Sequence, residues 1–427
     1  MPPTHHALRD AHLHLAEHGE ELSCISLADC ASRDEALQRI ARAADERDPG
    51  SGSWLKAVAA RVEAWKDPAW PTAHQLDEAV GGVPVVILSF DHHALVASSA
   101  ALAASGIIPD TPDPQGGVIE RDGRTPTGLV LEEAAWIVRR AMPAPSERET
   151  LEHLRTALAD LRLRGFVEVH DMLARPLVAR LLLELERDGQ LDMHVRLYAT
   201  RESFDILADQ CERWESERVR LAGLKIFTDG TLNSRTASML HPFEQPRPGF
   251  PRGTALMSEQ DIADAISHAD ARGYPIAAHA IGDAAVRRTL DAVERITPGV
   301  IGQRIEHAQF IDEADIPRFA ELGVVASVQP CHLLTDVEAI HKYAPSRAER
   351  AFPLRDLIDS IEGAGYDAAD LLWLGSDAPI VPPSPHDNLQ ASVERRRSGA
   401  PEEQAIAPRQ AITADEWRAC SVARVQD

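Results

Sequence analysis

The chain has 427 residues, 44% of them hydrophobic and 26% charged, the profile of a soluble globular protein with enough length for a large core. Its 44 basic and 67 acidic side chains leave a formal charge of −23, which argues against a binder of nucleic-acid phosphates and against adsorption to an anionic membrane surface. Five scattered cysteines without CxxC spacing, no signal-peptide pattern and no bilayer-length apolar run point to reduced thiols and a cytoplasmic location.

The first strand-like run is 11–15, inside Asp-Ala-His-Leu-His-Leu (10–15). Residues two apart on a strand share a side, so His12 and His14 can grip one ion together. The stretch 29–149 is too long for one crossover; it holds Trp54, Trp65, Trp70 and Trp136, an apolar run at 83–90, and loop chemistry at 107–117. We expect it to be an insertion that packs over a barrel mouth and shapes the substrate pocket.

From residue 160 onward, apolar runs at 165–170, 194–198, 223–227, 275–279, 304–307, 324–328 and 371–375 alternate with helical segments such as 174–188, 258–272 and 284–296. Strand–helix alternation implies a parallel sheet with crossover helices. With 11–15 the strands number eight, which closes an α/β, (β/α)8 TIM barrel whose site lies at the C-terminal strand ends. The competing open doubly wound sheet would carry a Gly-rich dinucleotide fingerprint after a strand, and none is present. The expected organisation is 1–28 for the start of the barrel, 29–149 for the insertion, and 150–427 for the remaining barrel.

On that strand count, residues of metal-ligand type end strands one, four, five, six and eight: His12 and His14, Lys225, His279, His307 and Asp377. A neutral imidazole gives a lone pair to a divalent metal, zinc being the one expected, and an ionised Asp adds anionic oxygen. Such an ion lowers the pKa of water from about 15.7 toward about 7, and Asp377 beside it could take and relay the proton as general base. An ammonium is no ligand, but a buried neutral Lys225 can react with carbon dioxide to give a carbamate that bridges two ions. His5, His6, His18, His74, His153 and His268 are read as ordinary polar side chains.

These motifs, with Val-His-Asp-Met (169–172), Lys-Ile-Phe-Thr-Asp-Gly-Thr-Leu-Asn-Ser-Arg-Thr-Ala (225–237), His-Ala-Ile-Gly-Asp (279–283), Arg-Ile-Glu-His-Ala (304–308) and Gly-Ser-Asp-Ala-Pro (375–379), resemble the amidohydrolase superfamily. Within it they look like the YtcJ-like branch that includes N-substituted formamide deformylases, and the resemblance spans nearly the whole chain. It implies that His12, His14, Lys225, His279, His307 and Asp377 are metal ligands, with Lys225 carboxylated in a binuclear centre. The segment from Asp91 resembles one that reaches over the site in this branch, which makes His93 a candidate substrate contact. His92 and Asn233 stand where relatives commonly carry Gly. Relatives also flank the barrel with a β-sandwich; here the His pair arrives at residue 12 and the chain ends fifty residues after Asp377, so that sandwich is expected to be missing.

The expected activity is therefore metal-dependent hydrolysis of a C–N bond, amide or formamide-like, in a small molecule, with His170, Asp229 and Arg235 at strand ends orienting the substrate. Two alternatives stay open: a mononuclear deaminase on the same barrel, in which Lys225 is structural, and an inactive barrel that binds a ligand or partner protein. A homodimer is the expected assembly.

Overall fold

The computed structural model describes residues 7–47, 54–62, 65–89, 94–114, 117–210 and 214–423. The chain divides into two compact units, Met1–His18 with Leu154–Asp427, and Gly19–His153. In the first, eight strands pair in parallel and in order: β1 (Leu8–Leu13), β8 (Phe166–Asp171), β9 (His194–Ala199), β10 (Val219–Phe227), β11 (Ile276–Ala280), β12 (Arg304–His307), β13 (Val325–Val328) and β14 (Leu372–Leu374). The remaining numbers, β2 to β7, belong to the second unit and are given below. The eight runs foreseen from the sequence are these strands; 304–307 matches at both ends, and the other ends differ by at most four residues. The first strand lies earliest of all against expectation, so His14 follows β1 rather than standing on it.

Closure comes from the chain just past β14. Ser376 and Asp377 donate backbone N–H groups to the His12 carbonyl at 3.3 and 2.6 Å, and His14 N–H donates to the Ala378 carbonyl at 2.8 Å. Asp10 ties the same seam, its Oδ1 accepting the N–H groups of His12 and Ser376 at 3.1 and 3.0 Å. Gly375 is required by this contact, because a Cβ there would lie 2.6 Å from the His12 nitrogen. An eight-stranded parallel barrel is thus the architecture of this unit, as the sequence implies.

Helices follow the strands for local reasons. Ser258 and Asp261 form a capping box that starts Glu259–Asp270, and Ile262, Ile266 and Ala269 recur on its buried face. Pro176 opens Pro176–Arg187 at a position where its missing N–H costs nothing, and Val178, Leu182 and Leu185 bury its apolar stripe. Asp283–Ile296 buries Val286, Leu290 and Val293 in the same way.

The second unit holds a six-stranded sheet that the sequence reading did not anticipate: β2 (Ile25–Ser26), β3 (Leu55–Ala60), β4 (Val85–Ser89), β5 (Ala94–Ala97), β7 (Thr125–Glu132) and β6 (Gly117–Asp122), in that order. The first three are parallel and the others join antiparallel. β4 is the core of the apolar run at 83–90, and all five of its residues are buried. Burial on both faces explains why the run is continuous rather than alternating. Val86 and Leu88 enter one apolar cluster and Val85 and Ile87 another. Cys24, Cys30, Cys331 and Cys420 are free thiols, in line with the sequence reading. Among the described residues no helix is long and apolar enough to cross a membrane.

Candidate metal centre

The register of the strands sets the height of each candidate ligand. Lys225 pairs with Ala277, which places His279 two residues further on, opposite Phe227. His279 in turn faces Glu306, and His307 ends β12 opposite Ala280. The seam described above brings Asp377 to the β1 end, where its Oδ1 lies 2.9 Å from His14 Nε2 and 3.3 Å from His12 Nε2. Ligand atoms of His12, His14 and Asp377 all fall within 4.8 Å of one another. The His307 ring stands 4.8 Å from that of His12, and 4.5 Å from that of His279. The sequence-predicted histidines and Asp377 therefore converge.

Lys225 is 2% exposed, its Nζ makes no hydrogen bond, and the Phe227 ring centroid lies 5.0 Å away. Burial lowers its pKa to about 8, against the pull of Glu306 and Asp377. At pH 8 about half of such an amine is neutral, against well under about 1% for an ordinary lysine. Two of the convergent residues also sit on left-handed backbone, His307 at φ 70° and Asp377 at φ 65°. A conformation of that kind costs on the order of 1–3 kcal/mol unless the residue tolerates it, as Asp does better than His.

Electrostatics prepare these groups as donors. Burial takes the His279 pKa down to about 3, with the Lys225 charge adding to the effect, and burial beside His279 holds His307 well below its ordinary value. Both rings are neutral. Burial pushes the Asp377 carboxyl up, but the charge and hydrogen bonds of His12 and His14 prevail and hold it well below the usual carboxylate range. His14 is the exception among the rings: burial depresses it, but its bond to Asp377 and that carboxylate's charge raise it overall.

A divalent cation fits this set. His12 Nδ1 is 2.7 Å from Glu306 Oε2 and donates to it, so Nε2, 3.3 Å from the anionic Asp377 Oδ1, either carries a second proton or presents its lone pair to a cation. Lone pair and anion repel at that range unless a cation draws on both. Neutral imidazoles and a carboxylate are the donor chemistry of zinc and similar ions, and a buried amine that finds no acceptor is the form that could take up carbon dioxide.

Protons should compete with that ion at His14. Its raised pKa means that it takes up a proton at a higher pH than an ordinary imidazole does, while His279 and His307 remain unprotonated there. Zinc affinity is expected to be level above that pKa and to fall about tenfold per pH unit below it. A zinc titration at several pH values between about 5 and 8 checks this, and a flat profile would contradict it.

The residues expected to orient substrate are placed differently. His170 is 3% exposed, and both ring nitrogens are engaged, Nε2 with Glu168 at 3.0 Å and Nδ1 with Arg304 at 2.7 Å. It is enclosed in the barrel rather than presented at its mouth, because it alternates with Glu168 on the inward side of β8. Asp229 is 1% exposed, and its carboxylate accepts backbone N–H groups of Ser238, Ile281 and Gly282 at 2.8, 3.1 and 2.9 Å. That arrangement pins the loops after β10 and β11, with His279 Nε2 3.6 Å from Asp229 Oδ1. Arg235 donates to the Gln245 carbonyl at 3.2 Å and lies 5.0 Å from the Tyr343 ring. His93 falls outside the described residues.

Four side chains at or near the centre escaped the sequence reading. Glu306 touches His12, and Arg304 holds Glu306 through Nε at 2.8 Å. Their signal lay in the Arg-Ile-Glu-His motif, where alternation puts Arg304 and Glu306 on one face. His332 opens the helix His332–Tyr343 after β13, with Nε2 3.2 Å from the Ser376 carbonyl and 3.6 Å from Asp377 Oδ2. One turn on, Asp336 accepts from Asn233 Nδ2 at 2.9 Å and Gln309 Nε2 at 2.8 Å. Nothing in the local pattern marks a histidine that starts a helix as part of a strand-end cluster.

Known proteins resemble this chain over most of its length. The model of the amidohydrolase family matches residues 7–419. YtcJ of Bacillus subtilis, named as a putative amidohydrolase, is 32% identical over 398 residues, covering 91% of this chain and 73% of that protein. The N-substituted formamide deformylase of Arthrobacter pascens is 28% identical over 429 residues, covering 95% and 76%. Among solved structures, an uncharacterized metal-dependent hydrolase from Pyrococcus horikoshii superposes with a TM-score of 0.78 at 27% identity, covering 96% of this chain and 78% of that one.

Proposed function

The chain belongs to the amidohydrolase family, and on that premise we propose that it hydrolyses a carbon–nitrogen bond, amide or formamide-like, in a small molecule. The observation that carries the proposal is the convergence of His12, His14 and Asp377 on one point, with the rings of His279 and His307 and the unbonded amine of Lys225 beside it. In this reading His12, His14, His279, His307 and Asp377 would hold a divalent ion, zinc by donor chemistry, and Lys225, once carboxylated, would help to hold a second. When bound, the ion supplies Lewis acidity and lowers the pKa of water from about 15.7 to about 7.

The chain's own part is to place and move one proton. Asp377 is ionised and buried, so it accepts a proton from the attacking water and returns it to the leaving nitrogen as the C–N bond breaks. His14 and His12 fix its Oδ1, and His332 lies near its other oxygen. Asp229 steadies the loops that follow β10 and β11, the strands of Lys225 and His279, rather than touching substrate. The formal charge of −23 favours a small-molecule partner over nucleic acid or an anionic membrane, and we place the activity in the cytoplasm, in a homodimer.

A mononuclear variant is the second reading, and one observation favours it: among the described residues His12, His14 and Asp377 are the one group whose ligand atoms lie within 4.8 Å of one another. Metal content separates the two. Protein purified with bicarbonate is expected to hold nearly two divalent ions per chain by elemental mass spectrometry, falling in Lys225→Ala, and to cleave members of an amide and formamide panel. Full metal and full rate in Lys225→Ala would remove the bridged version. Folded protein that cannot be loaded with any divalent ion would remove the hydrolase reading.

A further inference from the structure

A continuous polar chain runs through the barrel beneath the metal centre. It passes from His12 Nδ1 to Glu306 Oε2 at 2.7 Å, from Glu306 Oε1 to Arg304 Nε at 2.8 Å, from Arg304 Nη1 to His170 Nδ1 at 2.7 Å, and from His170 Nε2 to Glu168 Oε1 at 3.0 Å. Every member is buried, with Arg304 at 1% and Glu306 at 0% exposure. Barrel interiors are usually filled by layers of branched apolar side chains, so a charged layer directly under the site calls for a reason.

Geometry supplies one. Arg304 is immobilised on all sides, donating to the Ala11 carbonyl at 2.7 Å and to Ser327 Oγ at 3.0 Å, with the Tyr198 and Trp373 rings 4.7 and 4.9 Å from its guanidinium carbon. A guanidinium so held presents a fixed fork, and Glu306 has only one way to lie against it. Its Oε2 accepts from Arg304 Nη2 at 3.2 Å and lies 2.7 Å from His12 Nδ1, so the guanidinium sets the oxygen that His12 meets. Because the Arg304 Nη1 donor points at His170 Nδ1, that nitrogen must accept and Nε2 must carry the proton toward Glu168; at the other end an ionised Glu306 can only accept, so His12 Nδ1 must donate.

We infer that Glu306 is a positioning residue for the metal centre: oriented by Arg304, His170 and Glu168, it holds His12 in the Nδ1–H tautomer with Nε2 aimed at the ion. The inference rests on the metal-centre reading above and assigns His170 to the support of the site rather than to substrate contact. A carboxylate behind a ligating imidazole sharpens its orientation and makes its lone pair more basic, and losing such a partner typically weakens metal binding about 10- to 100-fold.

The test uses full-length protein stripped by chelation and titrated with Zn2+ against a chromophoric chelator. Glu306→Gln, which keeps shape and removes charge, is expected to bind zinc about 10- to 100-fold more weakly. His170→Gln, which touches no ligand, should show a smaller loss through the same route. In 15N-histidine-labelled wild-type protein without metal, the ring signal that disappears in His12→Gln is expected to show the Nδ1–H tautomer. This second measurement needs no Glu306 variant to fold. Wild-type zinc affinity in folded Glu306→Gln, or an Nε2–H tautomer at His12, overturns the inference. Wild-type protein that binds no zinc at all sinks the metal-centre reading, and with it the role of Glu306 toward an ion, whereas unequal affinities of wild type and variant support both.

Discussion

Asp377→Asn is expected to lower turnover by about 10²- to 10⁴-fold while leaving the fold in place, the range for loss of a general acid–base group. Asn matches Asp in volume and tolerates the left-handed backbone found at φ 65°, so the seam to His12 and Ala378 can still form. What disappears is the charge that two imidazoles hold in ionised form. The amide cannot take a proton, and it offers at most one oxygen where the carboxylate faces His12, His14 and His332. Turnover on a responsive amide, measured beside metal content and circular dichroism, separates loss of chemistry from loss of structure. A folded variant within a few-fold of wild-type rate would remove Asp377 from the proton pathway.

The largest stability effect is expected at Arg304. Arg304→Ala should destabilise the barrel unit by about 3–5 kcal/mol, because it strips the partner from a buried carboxylate rather than simply deleting a contact. Arg304 is among the largest fully buried side chains of the chain, and Glu306 beside it is 0% exposed. The Arg304 charge and the His12 hydrogen bond hold the Glu306 carboxyl well below its usual range against the upward push of burial. Without the guanidinium, that carboxylate must take up a proton or remain unpaired. The Arg304→Met, Glu306→Gln double variant should therefore cost less than the sum of its single changes, since no uncompensated charge is left. Urea unfolding followed by two probes checks this, the second probe being needed because the chain has two compact units. A loss below about 1 kcal/mol in Arg304→Ala would show that the pair is not what holds this layer.

The two expectations concern neighbouring layers of one barrel. Above, the carboxylate of Asp377 is poised to work because imidazoles surround it; below, the carboxylate of Glu306 is inert because a guanidinium holds it. Each is a buried acid kept ionised, and the partner decides its role.

Residue chemistry and local periodicity were enough to mark His12, His14, Lys225, His279, His307 and Asp377 as lying at or near strand ends, and to count eight strands. Strands and helices have different hydrophobic repeats, and a histidine, lysine or aspartate closing an apolar run is visible one segment at a time. The sequence of the second unit was less legible. β4 is buried on both faces and so shows no alternation, and β2, at two residues, is too short to signal a strand.

Only the tertiary structure decided what each face meets. Alternation puts Arg304 with Glu306, and Glu168 with His170, but the pairing of Glu306 with His12 depends on strands brought together across the barrel. The same holds for Asp377, whose approach to His14 depends on Gly375 letting two backbones close. His170 reads from sequence as a strand-end residue open to substrate, and becomes an interior one because its neighbours fill both of its nitrogens. Local pattern fixes which side a residue takes along its own strand; depth, partner and charge state are set by chain segments far away in sequence, through contacts that no local repeat encodes.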